Sequence, residues 1–264
     1  MTNTLTLADG GLRLEFGRIA RLTLNRPQAR NALTHAMWDS LSDVAARVLS
    51  DESIRVLVVK GEGDKAFSAG ADIAEFPETY ATAKATDAYN TSVRRAQAAI
   101  AALPIPTIAE VRGACFGGGC GLALHCDLRF AASTARFAIT PARLGLAYSF
   151  EDTARLVSLV GPARSKDILM SGRVVAAEDA FGIGLVDRVV DEPDLTATVA
   201  EYCETLASLS QASIRVAKMT IDAVSRGDTE ATPALREAFA ATFSGPDFAE
   251  GYRAFMEKRA PNFD

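Results

Sequence analysis

The sequence has no excess of positive charge and no long uninterrupted apolar run. It carries 28 Lys and Arg against 33 Asp and Glu, a formal net charge of −5, which disfavours a nucleic-acid surface because clustered cations are needed to neutralise phosphates. The most apolar candidate for a membrane span, residues 96–111, is interrupted by Pro104 and Pro106. Residues 1–9 lack the cationic start and apolar core of a signal peptide. We therefore expect a soluble, cytoplasmic protein with no nucleic-acid or membrane partner.

Metal-binding and nucleotide-binding motifs are also missing. The four cysteines form no C-x-x-C pair and the two histidines lie far apart, unlike the ligands of zinc or iron–sulfur sites. These residues are Cys115, Cys120, Cys126, Cys203, His35 and His125. We expect reduced, buried thiols and no metal. The chain also lacks a dinucleotide G-x-G-x-x-G pattern, a phosphate-binding loop and a nucleophile elbow.

What the chain does have is a triple glycine after a strand-like run. Residues 107–111 read T-I-A-E-V, and residues 112–127 read R-G-A-C-F-G-G-G-C-G-L-A-L-H-C-D. Adjacent residues without side chains at a helix start leave backbone N–H groups uncovered, so an oxyanion can approach them. A second small-residue segment exposes the N–H of Ala71, with Asp72 as the cap of a short helix. Two such donors suit a thioester carbonyl, although each segment alone is also explained as a tight turn.

The hydrophobic pattern alternates between strands and helices in the first three quarters of the chain. We predict strands at residues 21–24, 55–60, 106–111, 128–131, 136–139 and 185–190, and helices after Thr34, over residues 82–102 and from residue 151. This alternation is expected of a right-handed parallel α/β arrangement. We expect residues 1–192 to form an α/β core and residues 193–264 to form a helical region that acts as a lid and an oligomer contact.

Motifs spread over nearly the whole chain resemble those of the crotonase superfamily, also called the enoyl-CoA hydratase/isomerase family. They are L-N-R-P at 24–27, R-N-A-L at 30–33, F-S-A-G-A-D-I at 67–73, G-G-G-C at 117–120, C-D at 126–127, G-I-G-L-V at 182–186 and F-M-E-K-R at 255–259. The resemblance implies a crotonase-type α/β spiral of ββα units, a helical C-terminal region that forms a homotrimer or a dimer of trimers, and a role in fatty acid metabolism. It also implies an acyl-CoA substrate whose thioester carbonyl lies between the amides of Ala71 and Gly118.

The resemblance further implies which residues contact coenzyme A, which enters as part of the substrate, with no tightly bound cofactor. Coenzyme A carries phosphates, so cationic contacts are expected. Arg26 matches the family's loop on the nucleotide side, Ala69 is also assigned to binding coenzyme A, and Phe255 and Lys258 match C-terminal residues that approach coenzyme A. The lysine that the family often has after G-A-D-I is replaced by Ala74. For Arg26, Phe255 and Lys258, a solvated charge or a packing aromatic remains an open alternative.

Departures from the family argue against simple hydratase activity. Gly121 and Pro141 stand where hydratases of this family have glutamates. Hydration needs an activated water and a proton donor at the α-carbon, and neither residue supplies them. The T-P-x-x-L-G-x-x-Y pattern of residues 140–148 is similar to the methylmalonyl-CoA decarboxylase branch, although Ala71 stands where that branch can carry a histidine. Decarboxylation needs little acid–base machinery because loss of carbon dioxide itself generates the enolate.

Tyr148 and Glu151 are the side chains predicted to act beside the acyl group. A carboxylate such as Glu151 at the edge of an apolar pocket can move a proton between carbons, as an isomerase requires. Alternatives remain open, because Glu151 and Asp152 also suit the first turn of a helix and Tyr148 also suits the core. His125 is interpreted as a core histidine. We expect a decarboxylase or double-bond isomerase acting through a thioester enolate; the alternatives are a hydratase with a relocated acid/base and a non-catalytic acyl-CoA-binding scaffold.

Overall fold

The structure is a computed structural model that describes residues 4–263. Residues 1–3, which belong to the segment compared with a signal peptide, and residue 264 lie outside the described residues. The strands are β1 (Thr4–Leu7), β2 (Leu12–Glu15), β3 (Ile19–Leu24), β4 (Val56–Gly61), β5 (Ala66–Ser68), β6 (Thr107–Val111), β7 (Ala114–Phe116), β8 (Leu128–Ala132), β9 (Arg136–Ala138), β10 (Val175–Ala176) and β11 (Arg188–Val190). The helices are α1 (His35–Leu49), α2 (Phe76–Thr79), α3 (Ala83–Ala101), α4 (Gly118–Leu124), α5 (Phe150–Ser171), α6 (Ala177–Gly182), α7 (Leu195–Ser208), α8 (Gln211–Ser225), α9 (Pro233–Ala241) and α10 (Pro246–Glu257).

Within the described residues the strands form two sheets. The larger has the order β1-β2-β3-β4-β6-β8-β11 and the smaller has the order β10-β9-β7-β5. From β3 to β11 the larger sheet is parallel, and β5, β7 and β9 are parallel in the smaller one. Each turn of the chain contributes one strand to each sheet and then a helix: β4, β5 and α3, then β6, β7 and α4, then β8, β9 and α5. This repeat confirms the predicted α/β spiral of ββα units.

Helix α1 forms as the apolar spacing predicts and covers the inner side of the larger sheet. The Thr34 hydroxyl accepts a hydrogen bond from the Met37 N–H at 3.2 Å and so caps the helix. The side chains of Met37, Leu41 and Val44 are fully buried, and α1 packs along α3. Trp38 is buried on the same helix. Its ring becomes one wall of the candidate site.

The central strand β4 is buried on both of its faces, as its run of apolar β-branched residues predicts. Leu57 and Val59 belong to the main core under α1, whereas Val56 and Val58 pack in a second cluster that includes side chains of α7. Burying an aliphatic side chain of this kind contributes roughly 1.5–3 kcal/mol. Helix α7 therefore covers the outer face of the larger sheet. The predicted division of the chain into a core of residues 1–192 and a C-terminal region remains a prediction.

Helices α8 to α10 begin near the predicted breaks, with Ser210 as the N-cap of α8 and prolines at the starts of α9 and α10. Lys218 anchors α8 to the core through an ion pair of 2.7 Å with Asp127. These helices leave large apolar side chains exposed: Met219, Ile221, Val224, Phe239, Phe243, Phe248, Tyr252, Phe255 and Met256. The exposed faces suit the predicted oligomer contact, and the oligomeric state remains a prediction. No helix between residues 4 and 263 is long and apolar enough to cross a membrane.

Candidate active site

Two small-residue loops meet where β5 and β7 end. These strands are parallel neighbours in the smaller sheet, so the loops that follow them leave the same edge. A Cβ built on Gly70 would lie 3.3 Å from the nitrogen of Gly118, and a Cβ built on Gly118 would lie 3.7 Å from the nitrogen of Ala71. The two segments singled out by the sequence are therefore in direct contact.

The amides of Ala71 and Gly118 donate no hydrogen bond within residues 4–263. Their neighbours do: the N–H groups of Gly70, Asp72 and Gly117 have acceptors at 3.1, 2.9 and 2.8 Å. The Gly118 amide is free because it is the first of helix α4, where no preceding carbonyl is in reach. A carbonyl oxygen placed at the junction of the two loops would find both donors available.

The triple glycine is required by the close packing at this junction. Gly117 has a φ of +49°, a left-handed conformation that glycine adopts without strain. A Cβ on Gly119 would lie 2.6 Å from the Cβ of Ser68, and a Cβ on Gly118 would lie 3.2 Å from the ring of Trp38. Side chains at these positions would push α4 away from β5 and from the Ala71 loop.

Arg26 holds the Ala71 loop in place. Its guanidinium donates to the Asp72 carboxylate at 2.7 Å and to the Ala32 carbonyl at 2.8 Å. The hydrogen bond from Arg26 is the main cause that lowers the pKa of Asp72, against a smaller opposite effect of burial. Asp72 also caps the following turn by accepting from the Ala74 N–H at 3.1 Å, as expected. The predicted contact of Arg26 with coenzyme A remains a prediction.

The other residues assigned to coenzyme A lie apart. Ala69 is half-buried in the loop before Ala71, and its N–H donates to the Arg30 carbonyl at 2.9 Å. Phe255 and Lys258 are exposed at the end of α10. No hydrogen bond or ion pair found among the described residues joins them to Ala69. The structure thus leaves these three assignments as predictions.

The space above Gly121 is filled by polar side chains from other elements. A Cβ built there would lie 2.7 Å from Gln97 Nε2, 2.8 Å from Asp152 Oδ1 and 3.0 Å from the Tyr148 hydroxyl. Gln97 comes from α3, Asp152 from the first turn of α5, and Tyr148 from the loop before it. Three polar side chains from separate elements therefore meet beside Gly121.

Asp152 is the buried carboxylate of this cluster, with 4% of its surface exposed. Its Oδ1 accepts from Gln97 Nε2 and its Oδ2 accepts from the Ser149 hydroxyl, both at 2.9 Å. Burial is the main cause that raises the pKa of Asp152 to about 6, helped by the charge of Glu151 and opposed by the two hydrogen bonds. The carboxyl thus titrates close to neutral pH.

His125 and Tyr148 border the same carboxylate. The His125 Nδ1–H donates to the Gly121 carbonyl at 2.8 Å and lies 3.5 Å from Asp152 Oδ1. Burial lowers the pKa of His125 to about 4, so the ring is neutral at pH 7. The Tyr148 hydroxyl donates to the Gly117 carbonyl at 3.3 Å, and burial, with the nearby charge of Asp152, raises its pKa well above the ordinary value. Both side chains are neutral hydrogen-bonding groups at this site.

Tyr148 lies beside Gly121, whereas Glu151 is exposed to solvent. Glu151 is exposed in the first turn of α5, next to Asp152 in the chain. The helix start is capped by Ser149, whose hydroxyl accepts from the Asp152 N–H at 3.0 Å. The catalytic role assigned to Glu151 remains a prediction. Asp152 and Gln97, which the structure brings to the site, were not among the predicted site residues.

The cysteines are buried and unpaired, as expected. Burial raises the pKa of both Cys126 and Cys203 to about 12, so these thiols are protonated at neutral pH. Over residues 4–263, no three His, Cys, Asp or Glu side chains are grouped as metal ligands would be.

The fold and the site define a class of protein: a two-sheet α/β spiral in which two loop amides converge beside a buried polar cluster. The model of the family described as enoyl-CoA hydratase/isomerase matches residues 16–264. The chain belongs to the enoyl-CoA hydratase/isomerase family, the crotonase superfamily.

Similar proteins share this architecture over nearly their full length. The chain is 36% identical to the crotonyl-CoA hydratase of Syntrophomonas wolfei subsp. wolfei over 247 residues, which are 93% of this chain and 94% of the relative. It is 34% identical to the short-chain-enoyl-CoA hydratase of Clostridium acetobutylicum over 246 residues, 92% and 93% of the two chains. The crystal structure of an enoyl-CoA hydratase/isomerase family protein from Hyphomonas neptunium matches with a TM-score of 0.93 at 38% identity and covers 96% of this chain and 97% of that one. The similarity to the decarboxylase branch remains a prediction.

Proposed function

We propose that this chain is an acyl-CoA-processing enzyme that holds a thioester enolate between the amides of Ala71 and Gly118, and that it catalyses decarboxylation or double-bond isomerisation. The observation that carries the proposal is the pair of free amides on adjoining loops, and the resemblance adds the expectation that Gly121 and Pro141 stand in place of the two glutamates of the family's hydratases. Removing one such donor from an oxyanion site costs about 3 kcal/mol of transition-state stabilisation. Two such hydrogen-bond donors would therefore supply a large part of the transition-state stabilisation that the reaction needs.

Decarboxylation places the smallest demand on the remaining side chains. The bond between the α-carbon and the departing carboxylate breaks, and its electron pair moves into the enolate, whose oxygen accepts hydrogen bonds from both amides. Carbon dioxide leaves, and a proton is then added at the α-carbon. Isomerisation of a β,γ-enoyl thioester removes an α-proton to give a dienolate, whose oxygen is held in the same way, and returns a proton at the γ-carbon. Both reactions place negative charge on the thioester oxygen and differ in how that charge is formed.

Hydration is the second candidate. The relatives from Syntrophomonas wolfei and Clostridium acetobutylicum are named as enoyl-CoA hydratases, and the Asp152 carboxyl lies at the position left open by Gly121. A carboxyl group there is the relocated acid/base that hydration would require. This alternative adds water across the α,β double bond through the same enolate.

We propose that coenzyme A contacts Arg26, Ala69, Phe255 and Lys258, and that the exposed apolar faces of α8 to α10 pair between subunits of a homotrimer or a dimer of trimers. Arg26 lies next to the Ala71 loop, which supports a substrate passing over it toward the free amides. Since Phe255 is 80% exposed, it is available to a substrate or to a second subunit.

The reaction is tested with a panel of thioesters: crotonyl-, β,γ-enoyl-, methylmalonyl- and ethylmalonyl-CoA. Loss of carbon dioxide or gain of water is read by mass spectrometry, and double-bond movement by chromatography. We expect product from the malonyl-type or the β,γ-enoyl substrates. Product from crotonyl-CoA alone would replace the proposal with hydration. Tight binding of every thioester without any product would identify a scaffold.

A further inference from the structure

The unexplained feature of the site is a buried carboxylate without a cationic partner. The groups that contact Asp152 are an amide, a hydroxyl and a neutral imidazole, from Gln97, Ser149 and His125. An ionised carboxyl in such a place costs stability that no ion pair offsets. The helix does not need this carboxylate as a cap, because the Ser149 hydroxyl already accepts from the Asp152 N–H. Its burial is therefore not explained by the fold.

Gln97 is a second polar group in the cluster whose burial lowers the stability of the fold. Gln97 is 1% exposed, and its Oε1 has no hydrogen-bond partner within the described chain. An unsatisfied buried oxygen lowers stability, because it has given up its hydrogen bond to water without gaining another. The Gln97 side chain nonetheless keeps its Nε2 on Asp152 Oδ1. Costs of this kind are typical of functional sites, where polar groups are arranged for a reaction.

The carboxyl is also in position. Gly118 and Gly121 are three residues apart on α4 and so share one face of the helix. Asp152 Oδ1 lies 2.8 Å from where a Cβ of Gly121 would stand, one turn beyond the free amide of Gly118. For Asp152 to act on a thioester whose oxygen is bound by that amide, the α-carbon of the acyl group must lie on this side of the helix.

We infer that the Asp152 carboxyl is the proton carrier at the α-carbon of the acyl group, with Gln97 and Ser149 as its positioning residues. The inference rests on the proposed function and applies to each of its reactions. In decarboxylation the protonated carboxyl gives its proton to the α-carbon of the enolate, and the carboxylate regains a proton from water. In isomerisation the carboxylate takes the α-proton, and the electron pair of that C–H bond forms the dienolate; the carboxyl then gives the proton to the γ-carbon and is a carboxylate again. In hydration the hydroxyl of water adds at the β-carbon while the protonated carboxyl supplies the α-proton, and the proton that this water loses passes to the carboxylate.

The surroundings keep both protonation states of Asp152 accessible near neutral pH. His125 from the end of α4 and Tyr148 from the preceding loop face it without charge, and Gln97 faces it from α3. On α5 itself, the charge of Glu151 raises its pKa. Arg155, the next charged residue on that helix, acts on His125. A carrier that titrates close to the working pH is efficient as both acid and base.

The test uses Asp152→Asn, with Asp179→Asn as a matched control. Asp179 is an exposed aspartate at the same position of a helix, the third residue of α6. Turnover of the thioester panel is measured together with deuterium uptake at the α-carbon of butyryl-CoA in D₂O. We expect Asp152→Asn to lose about 100- to 10,000-fold in both rates, with acyl-CoA affinity retained, and Asp179→Asn to match the wild type. Full activity in Asp152→Asn, or its loss in Glu151→Gln alone, would overturn the inference.

A second variant keeps the inference testable if Asp152→Asn does not fold. Gln97→Met removes a hydrogen bond that lowers the pKa of Asp152, so the midpoint of the pH–rate profile assigned to Asp152 should move to higher pH. A merely structural role for Gln97 would lower the rate without moving this midpoint, and that result contradicts the inference. A wild-type protein that neither turns over nor exchanges any thioester would contradict the proposed function itself.

Discussion

Single residues decide the chemistry of this site, and the clearest case is an amide with no side chain beside it. The Gly118 N–H is free because it begins helix α4, and it faces the Ala71 loop because neither Gly118 nor Gly70 has a Cβ. The triple glycine and the small residues around Ala71 are visible in the sequence, so residue type alone predicts the two loops, and their role in binding an oxyanion stays a prediction. Their contact was expected only through the family resemblance.

The Gly118 donor can be removed with little damage to the helix. Proline is favoured at the first position of a helix, where its missing N–H is not needed. Gly118→Pro should therefore fold and lose the donor, whereas Gly118→Ala keeps the donor and tests the added Cβ against Trp38. We expect Gly118→Pro to lose about 100- to 1,000-fold more kcat than Gly118→Ala on the accepted thioester. Equal losses in the two variants would show that the amide does not bind the reacting oxygen.

The sequence alone does not decide which of the two neighbouring carboxylates, Glu151 or Asp152, faces the candidate site. Successive residues of a helix point about 100° apart, so the exact start of α5 determines which carboxylate faces the site. Ser149 is the cap, which turns Asp152 inward and leaves Glu151 exposed. Element boundaries read from sequence are uncertain by more than one residue, and the pattern alone could not choose between the two.

Among the strands and helices, those that are long and have a clear hydrophobic period are predictable from the sequence, and the shortest ones are not. The run in β4 and the stripe of α1 are long enough to carry a clear pattern, and both were placed within one or two residues. Strands β5 and β7 are three residues each and lie in segments rich in small residues. They have no measurable period and are set by pairing with each other. Most of the smaller sheet was therefore invisible to pattern analysis.

The Arg26 loop gives a prediction about an element that supports the site. Arg26 bonds both Asp72 and the Ala32 carbonyl, so Arg26→Ala should loosen the loop that presents the Ala71 amide. We expect kcat to fall as well as KM to rise, and Arg26→Lys to restore KM more than kcat because it keeps the charge but not both hydrogen bonds. The ion pair is partly exposed and contributes no more than about 1 kcal/mol to stability. A change in KM alone would assign Arg26 to coenzyme A only.

In the whole molecule, the C-terminal helices differ in how much of their apolar surface the core covers. The apolar face of α7 completes the outer side of the larger sheet, while α8 to α10 expose apolar side chains that a single subunit does not cover. The sequence predicted helices here because their caps and breaks are local signals. It did not show which helix packs on the sheet, because that depends on contacts between residues far apart in the chain.

The buried cluster makes the stability of the whole molecule depend on pH in two opposing ways. Asp152 has its pKa raised to about 6 in the folded protein, so its contribution to stability is lost as pH rises from the ordinary 3.8 through 6. His125 has its pKa lowered to about 4, so its contribution is lost as pH falls from the ordinary 6.5 through 4. Each effect is about 3 kcal/mol at most, and over the shared range they largely cancel.

Asp152→Asn removes the pH-dependent contribution of Asp152 to stability and leaves that of His125. The variant should lose stability relative to the wild type as the pH is lowered from 7 to 4.5, because the His125 effect then acts alone. Unfolding by urea at several pH values measures the difference directly, and Asp179→Asn should follow the wild type throughout. If the free-energy difference between Asp152→Asn and the wild type stays constant over this range, Asp152 titrates at its ordinary pH in the folded protein. The carboxyl above Gly121 would then not lie in the buried, weakly solvated position from which we infer its role.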